Sequence, residues 1–221
     1  MTRRVAVLAS GGLDSAVLLA DLAREEAVFP IYVAAGLAWE AREQHALRAY
    51  LDAIASDNLQ PLTILDMPSR GLYGPKHWSV TGDAPGYEAP DEDVYIPGRN
   101  VLLIGVTAVW CALNAVDAIA IGSLDDNPFP DATPAFFNDY GRLLSGALDH
   151  PLEVIAPYRQ QHKSQIIARF PYLPLRLTLT CMAPIERDGQ VLHCGNCNKC
   201  RERREAFTAA KVEDLTPYLS S

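Results

Sequence analysis

The chain has 221 residues, 49% of them hydrophobic, with 27 acidic side chains against 19 basic ones and a formal net charge of −8. That length sustains one sizeable core, or one core with a small appendage, at roughly 100–200 residues per domain. The acidic balance argues against a broad nucleic-acid face, which needs clustered Lys and Arg, and favours small metabolites and nucleotides as partners. The basic start at Arg3 and Arg4 is followed only by the short apolar run Val5 to Ala9 before Ser10-Gly11-Gly12, too little for the apolar core of a secretory signal. Val101 to Val116 is the longest apolar stretch. It is interrupted by Gly105, Thr107 and Asn114 and falls short of the roughly 20 residues a bilayer requires, so it reads as a buried helix and no membrane is implied. Five cysteines without a secretory signal argue against a disulfide framework and point to the cytoplasm.

In chain order, Arg4–Ala9 reads as a buried strand ended by a serine and two glycines. Ser15–Glu25 has helical spacing, Phe29–Ala35 is a second strand, Trp39–Ser56 a long amphipathic helix and Pro61–Met67 a third strand. Residues 68–97 break the pattern with prolines, glycines and the acidic run Asp91-Glu92-Asp93, a functional or mobile loop. The alternation resumes with helix Asn100–Asn114, strand Ala118–Gly122, helix Pro134–Leu148, strand Leu152–Ala156 and helix Lys163–Phe170. Strands alternating with helices predict a parallel sheet covered on both faces. Two units are expected: an α/β domain over 1–175, and a C-terminal module with its helix over 176–221.

Ser10-Gly11-Gly12-Leu13-Asp14-Ser15 falls between the first strand and the first helix, where open parallel sheets bind ligands. Glycines permit the backbone to approach a phosphate, the helix N-terminus offers it N–H groups, and Ser10 and Ser15 add hydroxyls. Asp14 would repel phosphate unless a cation intervenes, which assigns it to Mg²⁺. No Gly-Lys-Ser/Thr follows, so this is not the kinase-type P-loop; a plain glycine turn is the bland alternative. Cys181, Cys194, Cys197 and Cys200 supply four thiolates within a short span, the ligand set of a structural zinc site. His193 in place of one sulfur, a redox-active Cys-x-x-Cys pair and an iron–sulfur cluster are the rivals. Cys111 reads as a small buried hydrophobe, and the basic run Lys199, Arg201, Arg203, Arg204 as a solvated helix face.

The glycine motif resembles the PP-loop of the ATP pyrophosphatase (adenine nucleotide α-hydrolase) superfamily, which implies a Rossmann-like sheet and ATP cleavage between the α and β phosphates. Together with Tyr95-Ile96-Pro97-Gly98-Arg99-Asn100, Gly122, Pro130-Asp131 and Cys194-Gly195-x-Cys-x-x-Cys, the chain resembles the 7-cyano-7-deazaguanine synthase (QueC) family of queuosine biosynthesis. The resemblance implies a cytoplasmic, ATP-dependent carbon–nitrogen ligase. It would convert 7-carboxy-7-deazaguanine and ammonia to 7-cyano-7-deazaguanine (preQ0) through an adenylylated carboxylate and an amide, with ATP, Mg²⁺ and Zn²⁺ bound. Asp14, Arg99 and Lys163 are the expected catalytic residues, with Lys163 matching a lysine that the superfamily places near the phosphates. Ser10 to Ser15 would bind ATP, and Arg99, Asn100 and Asp131 the substrate, Asp131 reading the guanine-like edge. A helix cap at Arg99–Asn100, a turn at Asp131 and a solvated Lys163 are the bland counterparts. The chain departs from the family over Ser123-Leu124-Asp125-Asp126-Asn127-Pro128-Phe129-Pro130-Asp131-Ala132-Thr133, losing a Ser-Gly step, a cysteine and an arginine on the substrate side. That leaves two further readings open: the same chemistry on another carboxylate, free or borne by a protein or peptide, and a PP-loop enzyme modifying tRNA. A nucleic-acid partner is disfavoured by the charge, and a homodimer is compatible with the resemblance.

Overall fold

The computed structural model describes residues 2–125 and 127–219; Asp126, within the altered stretch, lies outside them. Five parallel strands form one sheet in the order β3-β2-β1-β4-β5: β1 (Arg4–Leu8), β2 (Ala27–Ala34), β3 (Thr63–Asp66), β4 (Ala118–Ala120) and β5 (Glu153–Ile155). The central strand β1 is buried on both faces, as parallel strands covered by helices must be. Val5 and Val7 pack with Leu13, Val17 and Ile166 on one side, Ala6 and Leu8 with Ile104 and Phe137 on the other. The helices supplying those layers are α1 (Leu13–Leu22), α2 (Glu40–Ala53), α5 (Arg99–Asn114), α6 (Pro134–Leu148) and α7 (Lys163–Arg169). The chain leaves β1 toward β2 on one side and returns to β4 on the other. The carboxyl ends of β1 and β4 thus form the crevice where such sheets hold ligands.

Three expectations change. The apolar stretch folds as α5 but is not fully buried: Ile104, Ala108 and Cys111 face the core, while Val109 and Leu113 are exposed. Residues 68–97 are not a bare loop. They contain two single-turn helices, α3 (Arg70–Tyr73) and α4 (Trp78–Thr81), and a 3₁₀ turn over Asp91–Val94. This segment is tied to the cysteine region: Asn198 donates its backbone N–H to Pro85 O (3.3 Å) and its amide to Ala89 O (2.6 Å), and Gly86 bridges to Cys197. Third, the basic run is no solvated face. It lies on α8 (Asn198–Ala210), where Arg203 is fully buried and donates to Thr216 Oγ1, Thr178 Oγ1 and Leu175 O, and Arg204 stacks on Tyr218. A buried guanidinium is tolerated only when its donors are satisfied, and here three carry bonds of 2.6–2.9 Å.

Past α7 the chain forms a small antiparallel hairpin, β6 (Ile185–Arg187) and β7 (Gln190–Leu192), before α8. Ala206 and Phe207 of α8 join the core cluster that contains β1, α1 and α7 residues.

Candidate active site

The helix α1 begins at Leu13, two residues earlier than its periodicity predicts, with Gly12 as its N-cap, so Asp14 and Ser15 stand in its first turn. Gly11 adopts φ +75°, and a Cβ there would lie 2.8 Å from the Glu43 carbonyl oxygen, so only glycine fits. Ser10 and Ser15 knit the loop: Ser10 N–H donates to Ser15 Oγ (3.3 Å), Gly12 N–H to Ser10 Oγ (3.3 Å) and Ser15 Oγ to Gly12 O (3.1 Å). Gly122, just past β4, makes the crevice possible. A Cβ on it would sit 3.0 Å from both Asp14 C and Ser15 N, so the strand end and the helix start touch backbone to backbone.

One cavity of about 690 Å³ opens over this crevice. Ser10, Gly12, Leu13, Asp14, Ser15, Arg99, Asn100 and Lys163 all line it; Gly11 and Asp131 do not. Asp131 instead serves α5: its Oδ2 accepts the backbone N–H of Asn100 (2.9 Å) while its carbonyl accepts from the Asn100 amide (2.9 Å). A carboxylate at a helix N-terminus satisfies an otherwise orphan donor and suits the helix dipole. The base-reading role expected of Asp131 is therefore not supported by its placement. Arg99, one residue earlier, lines the cavity, and no hydrogen bond or ion pair holds its guanidinium among the described residues.

Asp14 has an unusual setting. Its Oδ2 pairs with Lys163 Nζ at 3.2 Å, while its Oδ1 is shielded from solvent and has no hydrogen-bond partner among the described residues. Burial pushes its carboxyl up, against the pull of Lys163 and with a further push from Glu202. Lys163 is shared, pairing also with Glu202 Oε1, and Glu202 Oε2 pairs with Lys199. Burial opposes the Glu202 charge, but the two lysines outweigh it and bring that carboxyl down to about 2. Lys163 is shared between the two carboxylates, and Asp14 Oδ1 carries no hydrogen bond among the described residues. A half-partnered carboxylate lining the cavity, its side chain 25% exposed, fits a hard divalent cation such as Mg²⁺.

The far wall is aromatic. Trp39 and Trp78 stack with centroids 5.6 Å apart and planes 11° from parallel, and Tyr73 and Phe129 line the same space. Between this wall and the loop lies buried Glu43, which accepts from Tyr32 Oη at 2.8 Å; burial, countered by Arg99, brings its carboxyl up to about 7. Ser123 Oγ and Thr180 Oγ1 are buried cavity hydroxyls without partners among the described residues. Sequence reasoning missed Glu43, Trp78, Ser123, Thr180, Lys199 and Glu202 as site residues. For the last two a signal existed, since their i,i+3 spacing straddles the final cysteine.

Beside the cavity, the four cysteine sulfurs lie within 4.8 Å of one another. Tetrahedral zinc with Zn–S of about 2.3 Å places its sulfurs about 3.8 Å apart. The separations Cys197–Cys200, Cys194–Cys200 and Cys181–Cys197 are 3.6, 3.9 and 4.0 Å. Backbone N–H groups of Ala183 and Cys194 point at Cys181 Sγ (3.4 and 3.2 Å), and that of Asn196 at Cys194 Sγ (3.4 Å), stabilising thiolate character. His193 takes no part: it is buried, with Nε2 facing Thr178 O at 3.2 Å. Donor set and spacing fit a metal ion, zinc above all.

The sheet order, the glycine turn at the switch point and the cysteine cluster define a Rossmann-like α/β protein with a C-terminal metal-binding site. The chain belongs to the queuosine biosynthesis protein QueC family, whose model matches residues 4–211. Similar curated proteins include three 7-cyano-7-deazaguanine synthases. That of Pseudomonas syringae pv. syringae (strain B728a) is 30% identical over 98% of this chain and 96% of its own length. That of Azoarcus sp. (strain BH72) is 32% identical over 97% and 96%. The enzyme of Methanothrix thermoacetophila (strain DSM 6194 / JCM 14653 / NBRC 101360 / PT) is 30% identical over 97% and 98%.

Proposed function

We propose that the chain is a 7-cyano-7-deazaguanine synthase: an ATP-dependent ligase that turns 7-carboxy-7-deazaguanine and ammonia into the nitrile. The observation carrying this is the single cavity in a QueC-family chain that joins the glycine loop, the half-partnered Asp14, Lys163 and the unpaired Arg99. Ser10, Gly12 and the first N–H groups of α1 would hold the β and γ phosphates, with Lys163 beside them. Asp14 would hold Mg²⁺, which supplies charge neutralisation at the phosphates. A substrate carboxylate oxygen attacks the α phosphorus, the α–β bond breaks and pyrophosphate leaves. Ammonia then displaces AMP from the acyl carbon to give the amide. A second ATP adenylylates the amide oxygen, and loss of AMP with the remaining amide proton gives the nitrile. Arg99 offers a planar, permanently charged fork for the carboxylate, and the tryptophan wall a surface for a planar base. The cysteine cluster is read as a structural zinc site within a C-terminal module over 176–221, and the cytoplasm as the compartment that keeps its thiols reduced.

On this reading Asp131 works through Asn100 rather than on the base. Asp131→Ala leaves a backbone donor unpaired, at about 1–3 kcal/mol, and loosens the first turn that presents Arg99 and Asn100. Steady-state kinetics should show KM for the deazaguanine acid raised about 10–100-fold with ATP affinity kept. Equal losses for both substrates would return Asp131 to a purely structural role.

A second reading keeps the chemistry but changes the acid. It is favoured by the altered stretch itself, because Asn127, Pro128 and Phe129 from it line the cavity, and Arg159 staples it by donating to Leu124 O, Asp125 O and Ala132 O. Wild-type protein that binds ATP yet shows no thermal shift or turnover with 7-carboxy-7-deazaguanine would favour that reading.

A further inference from the structure

The phosphate end of the cavity is not built by the α/β sheet alone. Two of its charged groups, Lys199 and Glu202, come from the first turns of α8, and that helix starts on the cysteine cluster with Cys197 as N-cap and Cys200 between them. Glu202 binds a different lysine with each carboxylate oxygen: Oε1 takes Lys163 and Oε2 takes Lys199. Lys163 in turn reaches Asp14 Oδ2 at 3.2 Å. Charges therefore alternate from Asp14 through Lys163 and Glu202 to Lys199, all lining one cavity. Long lysine side chains have several rotatable bonds and are poor at presenting a charge in one place unless something holds them. One carboxylate gripping both ammonium groups sets their separation and aims them at the same space beside the α1 N-terminus.

We infer that Glu202 is a positioning residue of the phosphate site, holding Lys163 and Lys199 as a paired cationic clamp for the pyrophosphate portion of the nucleotide, and that Lys199 is a second phosphate-binding lysine. The inference rests on the ATP-splitting reading above and adds to it the residues on α8. It gives the cysteine cluster a task beyond stability, since the same helix start that ligates the metal delivers the clamp. Glu202 touches no substrate; it acts through the two lysines. The carboxylate also keeps the pair from repelling each other while the site is empty.

The test compares wild type, Glu202→Gln, Lys163→Gln and the double variant, all checked for metal content and melting temperature. Inorganic pyrophosphate with Mg²⁺ is titrated calorimetrically, and kcat/KM for ATP is measured separately. Glu202→Gln should weaken pyrophosphate binding and lower kcat/KM about 10–100-fold with metal content retained, and the double variant should lose clearly less than the product of the two single effects, because both changes remove the Lys163–Glu202 pair and only the hold on Lys199 is left to lose. Glu202→Gln within about threefold of wild type, or single effects that multiply in the double variant, would overturn the inference. If Glu202→Gln does not fold, Lys199→Gln decides: at 28% side-chain exposure it leaves the helix packing intact, and about tenfold weaker pyrophosphate binding is expected, unchanged binding being contrary. Wild type that binds no pyrophosphate would mean that the phosphate-site reading itself has failed, a result distinct from a wild type that binds it and a Glu202→Gln that binds it equally well.

Discussion

Asp14→Asn is expected to lower ATP turnover by about two to three orders of magnitude while the melting temperature stays close to that of the wild type. The activity loss follows from the bare, buried Oδ1. An amide cannot neutralise a divalent cation, and a metal at transferring phosphates contributes several kcal/mol of transition-state stabilisation, each 1.36 kcal/mol being about tenfold in rate. The fold survives because Lys163, the partner that Asp14 abandons, remains paired with Glu202. Lys163→Met is the instructive contrast, since it would leave the Asp14 and Glu202 carboxylates facing each other with no cation between them. Breaking a buried ion pair from one side costs about 3–5 kcal/mol. Turnover assays with melting curves on the Asp14 variant separate the two effects, and near wild-type turnover would remove the cation-site assignment.

The second large effect is on stability. Cys197→Ser should cost the protein its bound zinc, measured as about one ion per chain in the wild type by elemental analysis, and lower its melting temperature or solubility. Zinc bound by four preformed thiolates contributes its binding free energy to folding, on the order of 10 kcal/mol for small zinc modules. Cys197 also packs in one apolar cluster with Trp39, Val94, Ile96 and Leu179, so the loosened knuckle disturbs the wall of the cavity. Iron at the site, or a well-folded wild type with no metal at all, would contradict the zinc reading.

Why some of this was legible in the sequence and some was not has physical reasons. The glycine loop and the four cysteines are local in sequence, and their spacing is the chemistry: a strand, two glycines and a helix start, or thiolates close enough to share an ion. The alternation of buried runs with amphipathic stretches likewise predicts the parallel sheet, because a period of two or of 3.6 is a property of the element itself. What escaped depends on which face of an element meets which neighbour. Glu43 lies on, and Trp39 caps, an amphipathic helix whose periodicity does not say that its inner face borders a ligand cavity. Trp78 sits in a segment read as loop because prolines and glycines hid its single-turn helices. Arg203 counted as one more surface charge until α8 packed and enclosed it. Asp131 depends on packing in the same way: its carboxylate has the right chemistry for a guanine edge, and the fold sets it outside the cavity lining with Oδ2 accepting the Asn100 N–H.

The most direct test of the account is mass spectrometry of the products made by purified wild-type protein from ATP, ammonium and 7-carboxy-7-deazaguanine with Mg²⁺. The account predicts the nitrile, with the amide as its precursor, and AMP with pyrophosphate as the nucleotide products. An unchanged acid, or ADP and phosphate in place of AMP and pyrophosphate, would contradict it.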